Sequence, residues 1–179
     1  MKKHRQLLAL LICLVMSVSL LTGYFETKAA TEDPAQNGEQ DATQETAETR
    51  EITDMAGRKV TVPAAENIES VFSAGPVAAI FLYMVAPDKL LGWNYELNDV
   101  EKSIILEKYQ DLPNFGMGDA VNYEAVIAAN PTIAINSGKI NDTMVSDCDA
   151  LSESLGIPVV AVDNELNNSA EAFRFMGEL

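Results

Sequence analysis

Residues 132–162 read TIAINSGKINDTMVSDCDALSESLGIPVVAV. A short run of apolar, partly β-branched residues opens this stretch, and a second such run closes it. Between them, Met144, Cys148 and Leu151 recur at the spacing of one helix face, and Gly156 follows where a helix would end. The pattern predicts a strand, a helix and a strand, with Cys148 buried as a small hydrophobic residue rather than exposed as a reactive thiol.

The same alternation extends in both directions along the chain. Apolar runs predict strands at 70–72, 90–93, 132–135 and 157–162. Helical patterns predict helices at 77–85, 98–109, 122–130, 142–155 and from 168 onward. Strands that alternate with helices on short connections are typical of a parallel sheet covered on both faces. We therefore predict an α/β fold, a Rossmann-like lobe whose parallel sheet is flanked by helices.

Local signals add detail to this prediction. Asn98 with Glu101, and Asn168 with Glu171, have the spacing of capping pairs at helix starts. The helix at 77–85 is apolar all round, which predicts that it is buried. Ahead of the first strand of the sheet, ITDMAGRKVTVP at 52–63 alternates on both sides of a turn and predicts a small β-hairpin.

Composition excludes several classes of function. The formal net charge of −15 repels phosphate backbones, so we expect no nucleic-acid partner. The only histidine, His4, lies in a targeting segment, which removes histidine-dependent catalysis and histidine-rich metal sites from the rest of the chain. The run FGMG at 115–118 lacks the third glycine of a dinucleotide fingerprint. We expect no enzyme activity, no cofactor and no metal site.

The amino-terminal part has the pattern of an export signal. A basic start precedes a continuous apolar run at 7–21, too short for a stable membrane span, so residues 1–30 are predicted to be a signal peptide. Leu21-Thr22-Gly23 resembles the residues before the lipidated cysteine of bacterial lipoproteins, but Tyr24 follows instead of cysteine. Residues 31–50 contain no large apolar residue and are predicted to be a disordered acidic linker.

Ligands of parallel sheets bind beyond the carboxyl ends of the strands. The candidate ligand-binding residues that the predicted strand ends supply are Ser73, Trp93, Tyr95, Met117, Asn136, Ser137 and Lys139. Aromatic and thioether side chains would contact an organic chelate, Lys139 an anionic group, and the others would hydrogen-bond. The alternatives are that Trp93 and Tyr95 pack in the core and that Lys139 is a solvated surface residue.

Residues 51–179 resemble one known family. The hairpin segment at 52–63, LPNFG at 112–116, NYEAVIAANP at 122–131 and GIPVV at 156–160 resemble, in order and spacing, the first lobe of class III substrate-binding proteins of ABC importers. The resemblance implies capture of an iron-siderophore, haem or cobalamin-like chelate and delivery to a permease with its ATPase. It also implies that Glu124 pairs with arginines of the permease.

The resemblance leads to three further expectations. Residues 51–179 would form the amino-terminal lobe, the last helix would begin the inter-lobe helix, and the second lobe would be absent. The protein would be extracytoplasmic, either secreted or held near the membrane by the transporter or an uncleaved signal. The alternative that composition leaves open is an exported adhesion or protein-interaction module.

Overall fold

The computed structural model describes residues 48–179, so the predicted signal peptide and most of the predicted linker lie outside the described residues. The first strand, β1 (Thr49–Thr53), overlaps the last two residues of the predicted linker. It pairs antiparallel with β2 (Lys59–Pro63), with Ile52 opposite Val60, which confirms the predicted hairpin. In the described residues, no helix combines the length and the apolar character needed to cross a membrane.

Three strands form a parallel sheet in the order β3 (Val71–Ser73), β4 (Ile133–Gly138) and β5 (Val159–Asp163). Both neighbouring pairs run parallel, as predicted.

The strand predicted at 90–93 is wrong. That segment makes only isolated bridges, from Leu90 to Val71 and from Trp93 to Asn114. The physical reason lies at Gly92, where a Cβ would stand 2.3 Å from the carbonyl oxygen of Pro113. The Leu91 amide still donates to Val71 of β3, but the Trp93 amide donates to the carbonyl of Pro113 at 2.8 Å, so the backbone changes its partner on either side of this close approach.

Within residues 48–179, five α-helices connect and cover the strands: α1 (Pro76–Val85), α2 (Asp99–Ile104), α3 (Tyr123–Ala128), α4 (Asp142–Leu155) and α5 (Ser169–Glu178). The side chain of Asn98 caps α2 together with Glu101, as predicted. The helix ends at Ile104 rather than near Tyr109, because Gln110 turns the chain by donating hydrogen bonds of 2.7 Å to the carbonyls of Lys102 and Ile105.

The predicted cap of α5 is wrong. Asn168 makes no capping hydrogen bond, because its side-chain nitrogen donates instead to Asp163 Oδ2 at 2.6 Å. The acceptor lies at the end of β5, so a contact between elements replaces the local one.

The hydrophobic core lies on both faces of the sheet, as the predicted α/β fold requires. One face packs against α1 and α5 through Ala78, Leu82 and Met176. The other face packs against α3 and α4 and includes Val126 and Cys148. Cys148 is fully buried, as predicted, and this burial raises the pKa of its thiol.

The prediction of a fully buried α1 is wrong. Val77, Ile80 and Met84 are 40%, 46% and 64% exposed. They follow one another at helical spacing and form what we call the α1 stripe. The sheet covers the opposite side of α1, and Phe173 of α5 covers its flank by packing on Phe81 at a ring-centroid distance of 4.9 Å. Among the described residues, no element covers the stripe itself, which explains the difference.

Candidate functional site

The carboxyl ends of β3, β4 and β5 lie along one edge of the sheet because the three strands are parallel. We call this edge the rim, and define it as the segments at 73–76, 93–95, 115–118, 136–139 and 163–165. All seven predicted ligand-binding residues belong to these segments, and the structure separates them into buried and exposed groups.

Ser73 and Trp93 lie beneath the surface of the rim. Trp93 is 3% exposed, and its indole nitrogen donates to the carbonyl oxygen of Tyr109 at 2.7 Å. Its ring packs against that of Tyr83. The core alternative for Trp93 therefore describes its position. Ser73 is also buried, and its hydroxyl donates to Asn94 Oδ1 at 3.4 Å. Neither side chain is placed to contact a bound molecule directly.

A shallow groove opens beside the rim, between the start of α3 and the exposed side of α4. Its volume is about 390 Å³, and its lining residues are Ala74, Tyr123, Asn136, Asp147, Ala150, Leu151 and Ser154. Asn136 is the one predicted ligand-binding residue in this lining. None of the lining residues is basic, and Asp147 is exposed. The groove therefore presents an aromatic ring, an amide, a hydroxyl and a carboxylate around an apolar floor.

The local sequence explains how the groove is built. The Asn122 side chain accepts a hydrogen bond from the Ala125 amide at 3.0 Å, which starts α3 and leaves Tyr123 exposed in its first turn. On α4, Asp147, Ala150 and Ser154 share one helix face at i, i+3 and i+7. Sequence reasoning missed both walls because it searched only strand ends. The helical spacing on α4, beside the buried face, was the signal available for one wall.

Ser137 follows Asn136 within β4, and Lys139 comes directly after the end of the strand. The hydroxyl oxygen of Ser137 is buried and has no hydrogen-bond partner among the described residues. Lys139 is exposed, and its ammonium lies 3.6 Å from Glu165 Oε1. The nearby carboxylate offsets the charge that Lys139 would offer to an anion, although exposed pairs of this kind are weak.

Tyr95 and Met117 do not line the groove. Met117 is exposed on the segment after Phe115. Tyr95 lines a separate cavity of about 220 Å³ together with Glu96, Lys102 and Gln110. Its hydroxyl donates to Glu101 Oε1 at 2.9 Å. Burial, and then the neighbouring Glu101 carboxylate, raise the pKa of the Tyr95 phenol.

Other features of the molecule lie away from the rim. Glu124 is exposed in the first turn of α3, beside Tyr123 of the groove. A mostly apolar cavity of about 230 Å³ lies between α1, α5 and the sheet, and Lys89 at its border donates to the carbonyl of Ile68. Within residues 48–179, histidine, cysteine and acidic side chains form no group of three or more with the arrangement of a metal site.

Comparison with known proteins places this geometry in a structural class. No protein-family model and no curated protein sequence match the chain. Among solved structures, an ABC transporter solute-binding protein from Sulfurospirillum deleyianum matches with a TM-score of 0.59 and 22% identity over 72% of this chain and 41% of its own. A periplasmic solute-binding protein from Veillonella parvula matches with a TM-score of 0.52 and 18% identity over 73% of this chain and 41% of its own.

A substituted form of the haem-binding protein HmuT matches with a TM-score of 0.50 and 17% identity over 83% of this chain and 46% of its own. The chain thus spans less than half the length of each of these three structures. At these identities the similarity describes the fold, and it confirms the predicted resemblance at that level. The described chain has the fold of one lobe of the periplasmic solute-binding proteins of ABC importers.

Proposed function

We propose that the chain is a lobe of the extracytoplasmic solute-binding component of an ABC importer, which captures an iron-siderophore, haem or cobalamin-like chelate and delivers it to a permease and its ATPase. The observation that carries this proposal is the groove at the carboxyl edge of the parallel sheet, on a fold shared with solute-binding proteins. Such edges are where ligands of open α/β sheets bind.

The lining of the groove favours the proposed ligand class. The exposed ring of Tyr123 and the floor at Leu151 suit a flat organic surface, and Asn136 and Ser154 supply neutral hydrogen-bonding groups. Asp147 and the absence of bases in the lining disfavour a small free anion. A large chelate with an apolar periphery satisfies these contacts better. The similar fold of a haem-binding protein is consistent with this class.

Within this proposal, Asn136 contacts the ligand in the groove. Met117, Ser137, Lys139 and Tyr95 lie in the surrounding edge, and Ser73 and Trp93 support it from below. A ligand panel tests the assignment. Ferric enterobactin, haemin and cyanocobalamin are each added to the full chain, and the melting temperature is followed. A ligand at a hundred times its Kd adds about 2.7 kcal/mol to the free energy of unfolding, which appears as a higher melting temperature.

Two variants sharpen this test. Asn136→Ala should reduce the shift given by the binding compound, because it removes a polar group of the groove. Asn67→Ala, an exposed asparagine before β3 and therefore at the opposite edge of the sheet, should not. No shift with any compound would contradict the proposal and favour the exported adhesion or protein-interaction module.

We also propose that Glu124 docks the permease. An exposed carboxylate in the first turn of α3 is held favourably by the helix dipole and is free to pair with a basic partner. In vesicles that contain the permease and ATPase, Glu124→Ala should lower ligand-dependent ATP hydrolysis while ligand affinity stays unchanged. Glu153→Ala, an exposed acid on α4, is the matched control. Equal loss of ligand-dependent ATP hydrolysis and of ligand affinity would assign Glu124 to folding instead.

The predicted export signal and linker complete the proposal. A signal at 1–30 and an acidic tether would place the lobe outside the cell membrane, either secreted or held at its outer face. Protease accessibility in intact cells tests the location, and mass spectrometry of the mature amino terminus shows whether Tyr24 is retained and whether a lipid is attached.

A further inference from the structure

Asn94 is a buried polar residue at the centre of the rim. It is 1% exposed, and its side chain makes three hydrogen bonds. The amide nitrogen donates to the carbonyl oxygens of Ser73 at 2.9 Å and Gly116 at 3.2 Å. The amide oxygen accepts from the Ser73 hydroxyl at 3.4 Å. The Asn94 carboxamide therefore donates both of its N–H groups and accepts one hydrogen bond, and all three partners lie on two other segments of the chain.

These partners belong to separate parts of the chain. Ser73 ends β3 and leads into α1, while Gly116 precedes Met117 and the turn towards α3. Asn94 itself follows the bridge at Trp93. Three rim segments, at 73–76, 93–95 and 115–118, thus meet at one carboxamide. The groove residue Ala74 and the exposed Met117 each directly follow a residue that Asn94 holds.

We propose that Asn94 is the positioning residue of the rim, fixing these three segments relative to one another and so setting the surface that meets the ligand. This inference rests on the proposed function for its purpose, but its geometry is independent of any ligand. Asn94 is buried beneath the residues that are proposed to contact the ligand, so its role differs from theirs.

The chemistry of the site selects asparagine. Two carbonyl oxygens need donors and one hydroxyl needs an acceptor, and a carboxamide supplies both kinds of group in one plane. Aspartate would set further acceptors against the carbonyls, and an apolar side chain would remove the donors from the buried Ser73 carbonyl and the partly buried Gly116 carbonyl, which is costly. The close approach at Gly92, where a Cβ would stand 2.6 Å from the Phe115 ring, brings the segments within reach of this amide.

Amide hydrogen exchange tests the proposal on the full chain. Three rim amides report on the segments: Ala74 donates to Ile135, Trp93 to Pro113, and Phe115 to Trp93. In Asn94→Ala, exchange at all three should become about tenfold faster or more, because local opening loses the bonds that hold the segments. The Met55 amide, which donates to Ala161 of β5, lies outside the three segments that Asn94 joins and should keep its rate.

Two control variants separate positioning from general stability. Asn114→Ala removes an exposed side chain that accepts from the Gly116 amide at 2.9 Å, and it should affect only the 115–118 segment. Val160→Ala, in the core, should speed exchange at rim and hairpin amides alike. If Asn94→Ala behaves like Val160→Ala, or loosens only one segment, the proposal is wrong.

If Asn94→Ala does not fold, a second measurement on the unsubstituted protein still tests the proposal. In the unsubstituted protein, exchange under increasing urea should show the three rim amides opening in one cooperative step, and three separate steps would overturn the proposal. Haemin affinity is then compared between Asn94→Ala and the unsubstituted chain, with an expected loss of about tenfold. Absence of any haemin binding would bear on the proposed function, whereas the exchange data alone decide the role of Asn94.

Discussion

At the scale of single residues, the carboxylate of Asp54 links the hairpin to the sheet. It is buried and accepts hydrogen bonds from the amides of Ala56 at 3.1 Å and Arg58 at 2.9 Å, which close the turn. It also accepts from the amide of Ala161 in β5 at 3.1 Å. The Arg58 guanidinium pairs with it at 3.1 Å and with Asp149 of α4 at 3.0 Å. One acidic side chain thus serves the hairpin turn and the last strand of the sheet.

We expect Asp54→Ala to lower the free energy of unfolding by about 3 kcal/mol, because it leaves three backbone amides without their acceptor and removes one of the two carboxylates that pair with the largely buried Arg58 guanidinium. Urea unfolding followed by circular dichroism measures the change. Lys59→Ala is the control, since its pair with Glu51 is exposed and should contribute less than about 1 kcal/mol. Similar losses in the two variants would show that the Asp54 contacts add nothing beyond a surface pair.

At the scale of elements, a small ionic cluster joins two single turns of 3-10 helix, Pro87–Lys89 and Glu107–Tyr109. Asp88 accepts from Lys108 at 2.8 Å and from the Tyr109 hydroxyl at 2.6 Å. The hydrogen bond from Lys108, and then that from Tyr109, hold the pKa of Asp88 below its ordinary value of 3.8. The same contact with Asp88 raises the pKa of Lys108. Tyr109 in turn accepts from Trp93, so the cluster connects the surface to the core.

The sign of the pH effect follows from the lowered pKa. A carboxyl group whose pKa is lower in the folded state stabilises the protein above its unfolded pKa, and this contribution disappears as the pH falls through the folded pKa. We therefore expect the stability difference between the unsubstituted chain and Asp88→Asn to shrink as the pH falls below 3.8. Urea midpoints at several pH values measure it.

The Lys108→Ala background serves as the control for this prediction. Without Lys108, the Asp88→Asn substitution should change the pH profile much less, because the largest cause of the pKa shift is gone. A profile that is equally steep in both backgrounds would contradict the assigned cause.

Element boundaries show what local sequence determines. Asn98 caps α2 as its spacing indicated, because both partners are within three residues. Asn168 had the same spacing, but Asp163 offered its side chain a different partner from another element. The failed strand at 90–93 has a similar cause, since the approach of Gly92 to Pro113 depends on tertiary packing. Local sequence patterns therefore predicted the elements correctly except where a contact with a distant part of the chain replaced the local one.

At the scale of the whole molecule, alternating strands and helices were enough to predict a parallel sheet with helices on both faces. The rule that ligands bind at strand ends led to Asn136 in the groove, but it also selected Trp93, which is buried. Tyr123 and Asp147 belong to helices and reach the groove only through packing. Sequence therefore located the edge of the sheet, while the surface of the groove depended on how α3 and α4 pack.

The α1 stripe gives a prediction about the behaviour of the protein in solution. Apolar residues grouped on one exposed face favour self-association. Ile80→Lys should raise the concentration at which light scattering detects association, while the free energy of unfolding changes by less than about 0.5 kcal/mol. Leu166→Lys is the control, because Leu166 is 88% exposed but lies outside the stripe. An equal effect of both substitutions would show that grouping on α1 does not matter.

The hydrogen bond between Asp54 and Ala161 also has a consequence for the timing of folding during synthesis. Its two ends are 107 positions apart, so a growing polypeptide exposes the carboxylate long before its partner amide has been made. At roughly 5–20 residues per second, the delay is on the order of 5–20 s. Throughout that interval the earliest-made hairpin has no docking strand, and completion of the native lobe must wait for β5 to be synthesised.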